Sequence, residues 1–233
     1  MNKKFNKIYL YLFSIAFIYF AMFAAFYIVC FIDKNSLYKL ILKNETYKNL
    51  PFSLSDYDLM KICSELMRYI SGKIAFLETK VTINNNLAEF YSVRSKIHMA
   101  DVRNLILNFR NASFISIIVC IYSVNKLKKI ESPIKCTKKV YVKTLLATFI
   151  ILSIITIFAI NNFDLFFTKF HELLFTNDLW LLDPNYDYII CLLPEKIFMI
   201  YGLRIVVGMV ITLFLPYFFL QILSKIQLHQ EAK

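Results

Sequence analysis

Long stretches without charged residues dominate the chain and predict helices that cross a membrane. Uncharged runs occupy residues 8–32 and 144–163, and a third run at 197–224 is interrupted only by Arg204. A helix needs about 20 mostly apolar residues to cross the hydrocarbon core of a bilayer, so each run is long enough. The first run also exceeds the roughly 7–15 apolar residues of a cleavable signal peptide, and we expect it to remain as an anchor.

A fourth span is predicted from a weaker pattern. The uncharged run at 111–125 is short, but a helix that starts near residue 105 is long enough if Arg110 extends its side chain to the interface. The predicted fold is therefore mainly α, a polytopic membrane protein with a small extracytoplasmic cap of mixed α and β structure. Its transmembrane helices are expected within 1–32 and at 105–125, 144–163 and 197–224.

The composition agrees with a membrane protein and excludes several soluble classes. Of the 233 residues, 58% are hydrophobic and 18% are charged. A soluble domain has about 45–50% apolar and about 25% charged residues. The glycine-rich nucleotide-binding signatures and the serine-hydrolase signature GxSxG do not occur in the sequence, which excludes the standard forms of those classes.

The net charge of +11 is distributed unevenly and predicts the orientation in the membrane. The loop at 126–143 carries seven lysines against the single acid Glu131, whereas 164–196 carries two lysines and six acids. Because basic residues collect in cytoplasmic loops, we expect this basic loop, the N-terminus and the tail 225–233 in the cytoplasm. Segments 33–104 and 164–196 then face outward, and the positive charge indicates orientation and not a nucleic-acid partner.

The outward segment 33–104 predicts the cap. Ser55 is a suitable N-cap for a helix whose apolar positions recur at helical spacing, and Gly72 is expected to end it. Those positions are Leu59, Ile62, Cys63, Leu66 and Ile70. One or two strands are predicted within 73–83, and a second helix is expected to begin after Ser92 and to continue into the second span.

The outward segment 164–196 is rich in aromatic residues around one histidine, His171. These residues are Phe163, Phe166, Phe167, Phe170, Phe175 and the single tryptophan, Trp180. Aromatic amphipathic segments favour the membrane interface, so we predict a surface or re-entrant helix that ends near Asn177. The pair Asp183-Pro184 then predicts a turn before the last span.

Two histidines on the outward side are the main candidates for chemistry. His98 lies on one helical stripe with Arg94 and Asp101, and His171 lies among the aromatic residues. Imidazoles titrate near neutral pH, so the pair suggests acid–base work on a group carried by a lipid. Acidic residues that could orient the rings are Asp101 and Glu172, with Asp183 and Asp187 further along. Simple hydrogen bonding within the cap is the alternative.

Other readings of the polar residues stay open. A metal site of two histidines and one carboxylate is conceivable, although such sites need three or four ligands. Arg204 is a charged residue inside a predicted span and is by default a functional candidate. It could pair with Asp187 or Glu195 or hold a polar group. The alternative is that its side chain simply extends to the membrane interface. Cys63 and Cys191 share the outward side and form either a disulfide or, as the favoured case, two buried free thiols.

Two motifs resemble the signatures of one bacterial membrane-protein family. The stretch 89–103, EFYSVRSKIHMADVR, resembles an HMxDV signature. The stretch 170–195, with FHELLF followed by WLLDPNYDYIICLLPE, resembles FHxxxF…WxLDPxxDxLIxLLPE, with Ile189 in place of leucine. By these motifs the chain resembles the lipoprotein intramolecular transacylases (Lit).

The resemblance implies an activity, a location and two catalytic residues. Such an enzyme moves the sn-2 acyl chain of a diacylglyceryl-cysteine lipoprotein to the α-amine of that cysteine and leaves a lyso-form lipoprotein. The family's two catalytic histidines map onto His98 and His171. The expected location is the bacterial cytoplasmic membrane, with the site on its outer side. The expected partners are a diacylated lipoprotein and membrane lipid, with no cofactor and no metal.

General chemistry agrees with these roles. The substrate supplies an amine as its own nucleophile, so the protein needs only to deprotonate it and to protonate the departing glyceryl oxygen. We favour His171 as the base and His98 as the proton donor. Asp101, Asp183 and Asp187 are candidates for orienting the rings, and Arg94 or Arg204 for stabilising the oxyanion. The expected substrate pocket consists of Met99, Phe170, Phe175 and Trp180.

Two other functions are weighed against the transacylase. A non-catalytic accessory or sensor protein would use the cap to bind a partner and would tolerate loss of both histidines. A metal-dependent membrane hydrolase would be sensitive to chelators.

The orientation can be tested independently of activity. A reporter fused after Lys129 is expected to be cytoplasmic, and a reporter fused near Asn84 is expected to be external, because lysines concentrate in the loop at 126–143. The measurement uses two reporters, one active only in the cytoplasm and one active only outside it, each fused at both positions. The reverse result would place both histidines on the wrong side for lipoprotein chemistry.

Overall fold

The computed structural model describes residues 3–127 and 133–231. The part of the predicted basic loop at 128–132 lies outside the described residues, as do residues 1–2 and 232–233 at the two ends. Within the described part the chain forms eight α-helices and one two-stranded sheet. The elements are α1 (Lys3–Tyr27), α2 (Ser36–Asn44), α3 (Asp56–Ile70), β1 (Lys80–Ile83), β2 (Asn86–Glu89), α4 (Val93–Leu127), α5 (Pro133–Asn161), α6 (Phe163–Leu174), α7 (Ile189–Leu192) and α8 (Glu195–Glu231).

Among the described residues, four helical stretches are long and apolar enough to cross a membrane, which confirms the predicted polytopic, mainly α fold. They are Lys7–Ile32, Val93–Leu127, Cys136–Asn161 and Glu195–Leu215. The first includes a π-helical turn at Ile28–Ile32 that follows α1. The helix α4 begins directly after Ser92, as predicted, and at 35 residues it is about 50 Å long, well beyond the roughly 30 Å of a hydrocarbon core.

The chain divides into two compact units. The spanning unit comprises the described residues of Met1–Tyr27, Phe109–Ile157 and Arg204–Lys233. The histidine unit comprises Ile28–Asn108 and Phe158–Leu203. Both candidate histidines belong to the second unit.

A small buried cluster holds the spanning unit together. Tyr141 is fully buried at its centre and packs with Ile18, Ala21 and Leu213. The Tyr141 hydroxyl donates a 2.7 Å hydrogen bond to the Leu213 carbonyl, so the buried phenol is satisfied within the helices. By contrast, α5 presents a row of exposed isoleucines: Ile150, Ile151, Ile154, Ile155 and Ile157. Such a surface suits contact with lipid chains.

The histidine unit has a larger core built around α3. Ser55 caps this helix by accepting a 3.0 Å hydrogen bond from the Asp58 backbone N–H, as predicted. The apolar face of α3 is buried with residues of α2, the hairpin and α7. The helix ends at Ile70, and Gly72 adopts a positive φ of 81°, which glycine accepts without strain.

The hairpin connects this core to the first turn of α4. β1 and β2 pair antiparallel, with Lys80 opposite Glu89, through a two-residue turn of asparagines at positive φ. Only the start of the hairpin falls in the predicted strand region 73–83. Glu89 accepts a 2.8 Å hydrogen bond from the Thr79 backbone N–H and lies 3.4 Å from the Lys96 ammonium. The hairpin is therefore anchored to the helix that carries His98.

The end of α6 and the two outward cysteines belong to the histidine unit. The helix α6 ends at Leu174 and not near Asn177, because Phe175 takes an extended conformation and turns its ring inward. Cys63 and Cys191 are both free thiols, as favoured, but only Cys63 is buried, since Cys191 is half-buried.

The core of the histidine unit predicts the cost of one truncation. Ile62 is 1% exposed on the inner face of α3, and Ile62→Ala is expected to lower the free energy of unfolding by about 2–5 kcal/mol. Met60→Ala, at a residue of the same helix that is 39% exposed, is the matched control and should cost much less. Denaturant unfolding in detergent measures both, and equal losses would contradict the packing described.

Candidate active site

The fold brings the two candidate histidines side by side. His98 lies in the second turn of α4, and His171 lies near the end of α6. Their ring centroids are 5.9 Å apart, and the residues are 5% and 7% exposed. Two imidazoles far apart in sequence therefore occupy one buried site, where a reacting group could contact both.

Aromatic rings enclose His171. Trp180 stacks on its imidazole at 4.8 Å and 27°, and the Phe167 ring lies 4.1 Å away. Phe170 contacts the ring edge-on at 5.4 Å but is itself 43% exposed. Phe175 lies 5.7 Å from His171 and 5.3 Å from His98, so it contacts both imidazoles. Three residues of the predicted pocket therefore surround the histidines.

One hydrogen bond fixes the tautomer of His171. Its Nδ1 lies 2.7 Å from the carbonyl oxygen of Phe167, one helical turn earlier. A carbonyl oxygen only accepts, so Nδ1 carries the proton and donates it. In the neutral ring Nε2 then holds the lone pair and is the basic atom of the site.

Burial also sets the charge of His171. Removal from water lowers the pKa of His171 below its ordinary value of 6.5, and the hydrogen bond to the Phe167 carbonyl offsets only part of this shift. The ring is therefore neutral at pH 7 and able to accept a proton.

His98 has an unsatisfied nitrogen. Its Nδ1 is buried and has no hydrogen-bond partner among the residues that the structure describes. Buried polar atoms without a partner are rare, and they concentrate at places where function requires them. His98 therefore keeps hydrogen-bonding capacity that its surroundings in the protein do not use.

The acidic residues predicted to orient the rings bond elsewhere. Asp101 accepts a 3.0 Å hydrogen bond from the Asn177 side chain, and Asp183 accepts hydrogen bonds from Asn185. Asp187 is 2% exposed and accepts from the hydroxyls of Ser92 and Ser95. In the described ranges no hydrogen bond joins these three carboxylates to either imidazole. Asp101 and Asp187 connect separate segments around the site, and Asp183 closes a local turn.

The remaining predicted residues are placed differently. Arg94 donates a hydrogen bond to the Asp178 carbonyl and so holds the loop after α6. Met99 packs against the core of the histidine unit, on a helical face that points away from His98. Arg204 lies on α8 among the residues of the spanning unit, and its proposed roles stay predictions.

Sequence reasoning missed Ser92, Ser95 and Asn177. Each hydrogen-bonds a predicted acidic residue on the opposite segment. A serine three residues before a helical N–H is a capping pattern, and Ser92 does accept a 3.0 Å hydrogen bond from the Ser95 N–H. That pattern was visible, but its partner Asp187 lies 95 residues further along the chain and had no local signal.

The site offers acid–base groups and no visible metal ligands. Across residues 3–127 and 133–231, no group of three or more His, Cys, Asp or Glu side chains is placed to hold a metal ion. A neutral imidazole with a basic Nε2 beside a second imidazole is suited to moving a proton between two atoms of a bound substrate.

The geometry defines a class: a membrane-integral, mainly α-helical protein with a buried pair of histidines. The structure is similar to that of the membrane-integral lipoprotein intramolecular transacylase Lit from Bacillus cereus, with a TM-score of 0.74 and 20% identity over 97% of this chain and 99% of that one. Variants of that protein with a histidine replaced by arginine or by alanine match with TM-scores of 0.74 and 0.72.

Sequence comparison gives the family. The family model for lipoprotein intramolecular transacylase Lit matches residues 9–198, and a comparison with the curated proteins gave no match. The chain therefore belongs to the lipoprotein intramolecular transacylase family.

The pKa of His171 can be measured without an activity assay. Trp180 is the only tryptophan and stacks on His171, so protonation of the imidazole is expected to quench its fluorescence. A titration should show a transition with its midpoint below 6.5, because burial lowers this pKa. His171→Gln is the control and should remove the transition. A midpoint at or above 6.5 would contradict the dry environment assigned to the ring.

Proposed function

We propose that this protein transfers the sn-2 acyl chain of a diacylglyceryl-cysteine lipoprotein to the α-amine of the same cysteine. The product is a lyso-form lipoprotein. The observation that carries the proposal is the buried pair of imidazoles 5.9 Å apart in a member of this family.

The transfer moves one proton in addition to the acyl group. A bond forms between the amine nitrogen and the ester carbonyl carbon, and the bond from that carbon to the sn-2 oxygen breaks. The nitrogen loses one proton and the glyceryl oxygen gains one, so no other reactant is needed. After the transfer His171 holds the proton from the amine and His98 has given one to the glyceryl oxygen, so passage of one proton from His171 to His98 restores both rings.

His171 is the better candidate for the base. Its Nδ1 is occupied by the Phe167 carbonyl, which leaves the lone pair of Nε2 for the amine proton. Its lowered pKa keeps the ring neutral at pH 7. Since general-base catalysis contributes typically about 10²–10⁴-fold, loss of this group should reduce the rate strongly.

His98 is then the candidate for the proton donor and for polarising the ester. Its ring lies beside His171, and its buried Nδ1 has no partner in the described part of the chain. A substrate that carries the amine and the ester together brings both reacting groups to the pair at once. That proximity is a large catalytic term.

The aromatic enclosure supports a lipid substrate. Phe175 and Trp180 cover the histidines, and Phe170 extends from the site to an exposed surface of α6. An apolar wall accommodates acyl chains and limits hydrolysis of the ester by water. Met99 belongs to this pocket only if the substrate reaches the neighbouring core.

The orientation inferred from the lysines places this chemistry outside the cytoplasm. Both termini are proposed to be cytoplasmic, with the site in the outer leaflet of a bacterial cytoplasmic membrane, where lipid-anchored substrates reside. Arg94 is proposed to stabilise the oxyanion. The reaction as written uses no cofactor or metal.

Histidine variants test the proposal. His98→Ala and His171→Ala are each expected to lower the rate of lyso-lipoprotein formation by about 10²-fold or more, because each removes a proton-transfer group. Mass spectrometry of a lipoprotein N-terminal peptide gives the measurement, and Phe76→Ala, at a residue 76% exposed in the same unit, is the control. Unchanged conversion in either histidine variant would reject histidine catalysis.

A further inference from the structure

We propose that Asp187, Ser92 and Ser95 form a positioning joint that holds the segment carrying His98 against the segment that covers His171. This inference rests on the proposed function and adds residues that contact neither imidazole. The joint is defined as these three side chains.

The contacts of the joint are complementary. The hydroxyls of Ser92 and Ser95 both donate to one oxygen of the Asp187 carboxylate, the latter at 3.1 Å. The other oxygen accepts a 2.9 Å hydrogen bond from the Asp183 backbone N–H. Ser92 also accepts from the Ser95 N–H, so the start of α4 and the turn at 183–187 are connected by a single carboxylate.

Burial makes this connection rigid. Ser95 is 0% exposed, Asp187 is 2% exposed and Ser92 is half-buried, so water competes little for these hydrogen bonds. The carboxylate also lies at the N-terminus of α4, where the partial positive charge of a helix favours an anion. Hydrogen bonds to an ionised group are stronger than those between neutral groups.

The joint is connected to both histidines by short stretches of chain. Ser95 is three residues before His98, so one helical turn transmits its position. Asp183 is three residues after Trp180, which stacks on His171. The Trp180 carbonyl also accepts a 3.0 Å hydrogen bond from the Leu182 N–H, which tightens that short stretch.

Two other links join the same segments but are exposed. Arg94 donates to the Asp178 carbonyl, and Asn177 donates to Asp101 at 3.0 Å. Exposed hydrogen bonds compete with water and are weaker constraints. We therefore assign the positioning to the buried joint.

The test measures kcat and KM separately for each variant of the purified, reconstituted full-length protein, with a synthetic diacylated lipopeptide as substrate. Asp187→Ala should lower kcat about 100-fold with KM changed less than about twofold, because the reacting groups lose their alignment but the pocket remains. The kcat of Asp187→Asn should be at least about tenfold higher than that of Asp187→Ala, since the amide oxygen still accepts from a serine hydroxyl. Ser95→Ala added to Asp187→Ala should cause no further loss, because both act through one contact.

The control is Ser71→Ala. Ser71 is a buried serine of the same unit that donates to the Arg68 carbonyl and is remote from the histidines in the chain, so kcat should be unchanged. If Asp187→Ala does not fold, Ser95→Ala alone should still lower kcat about tenfold at constant KM. Unchanged kcat in Ser95→Ala, or equal losses in Ser71→Ala, would overturn the joint.

The same experiment separates this inference from the proposed function. Failure of the wild-type protein to convert the lipopeptide, or full activity of His98→Ala, would reject the transacylase itself. Activity in the wild type, none in the histidine variants and full activity in the joint variants would reject only the positioning role.

Discussion

The packing of α4 against the loop that follows α6 is the contact on which the site depends. His98 and His171 belong to different helices, and no local structure could place their rings 5.9 Å apart. The contact combines a buried carboxylate shared by two serines, a phenylalanine that touches both imidazoles and two exposed hydrogen bonds. Without it, each helix would present a single histidine.

The same packing sets the chemistry of the rings. Aromatic side chains remove water from His171, which lowers its pKa, while the Phe167 carbonyl fixes the proton on Nδ1. His98 is equally buried but keeps an unpartnered Nδ1 in the described structure. One ring is thus prepared to accept a proton and its neighbour keeps an unused hydrogen-bonding atom, as expected for a site that moves a proton within one substrate.

Local signals in the sequence predicted much of the fold. The Ser55 cap, the stop at Gly72 and the start of α4 after Ser92 all depend on residues within a turn or two, and all three are observed. The sequence pattern predicts the end of α6 too late, because Phe175 leaves the helix and packs against both histidines. That preference arises from tertiary contacts and has no local pattern.

The two histidines and three of the aromatic residues around them could be predicted from the sequence. His98 and His171 were identifiable because few titratable groups occur in the aromatic outward segments. The partners of the nearby carboxylates could not be identified, because Asp187 bonds Ser92 and Ser95, which lie more than 90 residues earlier in the chain. Proximity in sequence to a histidine suggested ring orientation, whereas the fold uses these carboxylates to join segments.

The most direct test of the account is a comparison of the single and double histidine variants in a purified transacylation assay. If His98 and His171 act as one unit, the rate of His98→Ala/His171→Ala should equal that of either single variant, because removing one ring already removes the shared proton transfer. Residual rates in both single variants, with effects that multiply in the double variant, would show that the rings act independently and would contradict the paired site.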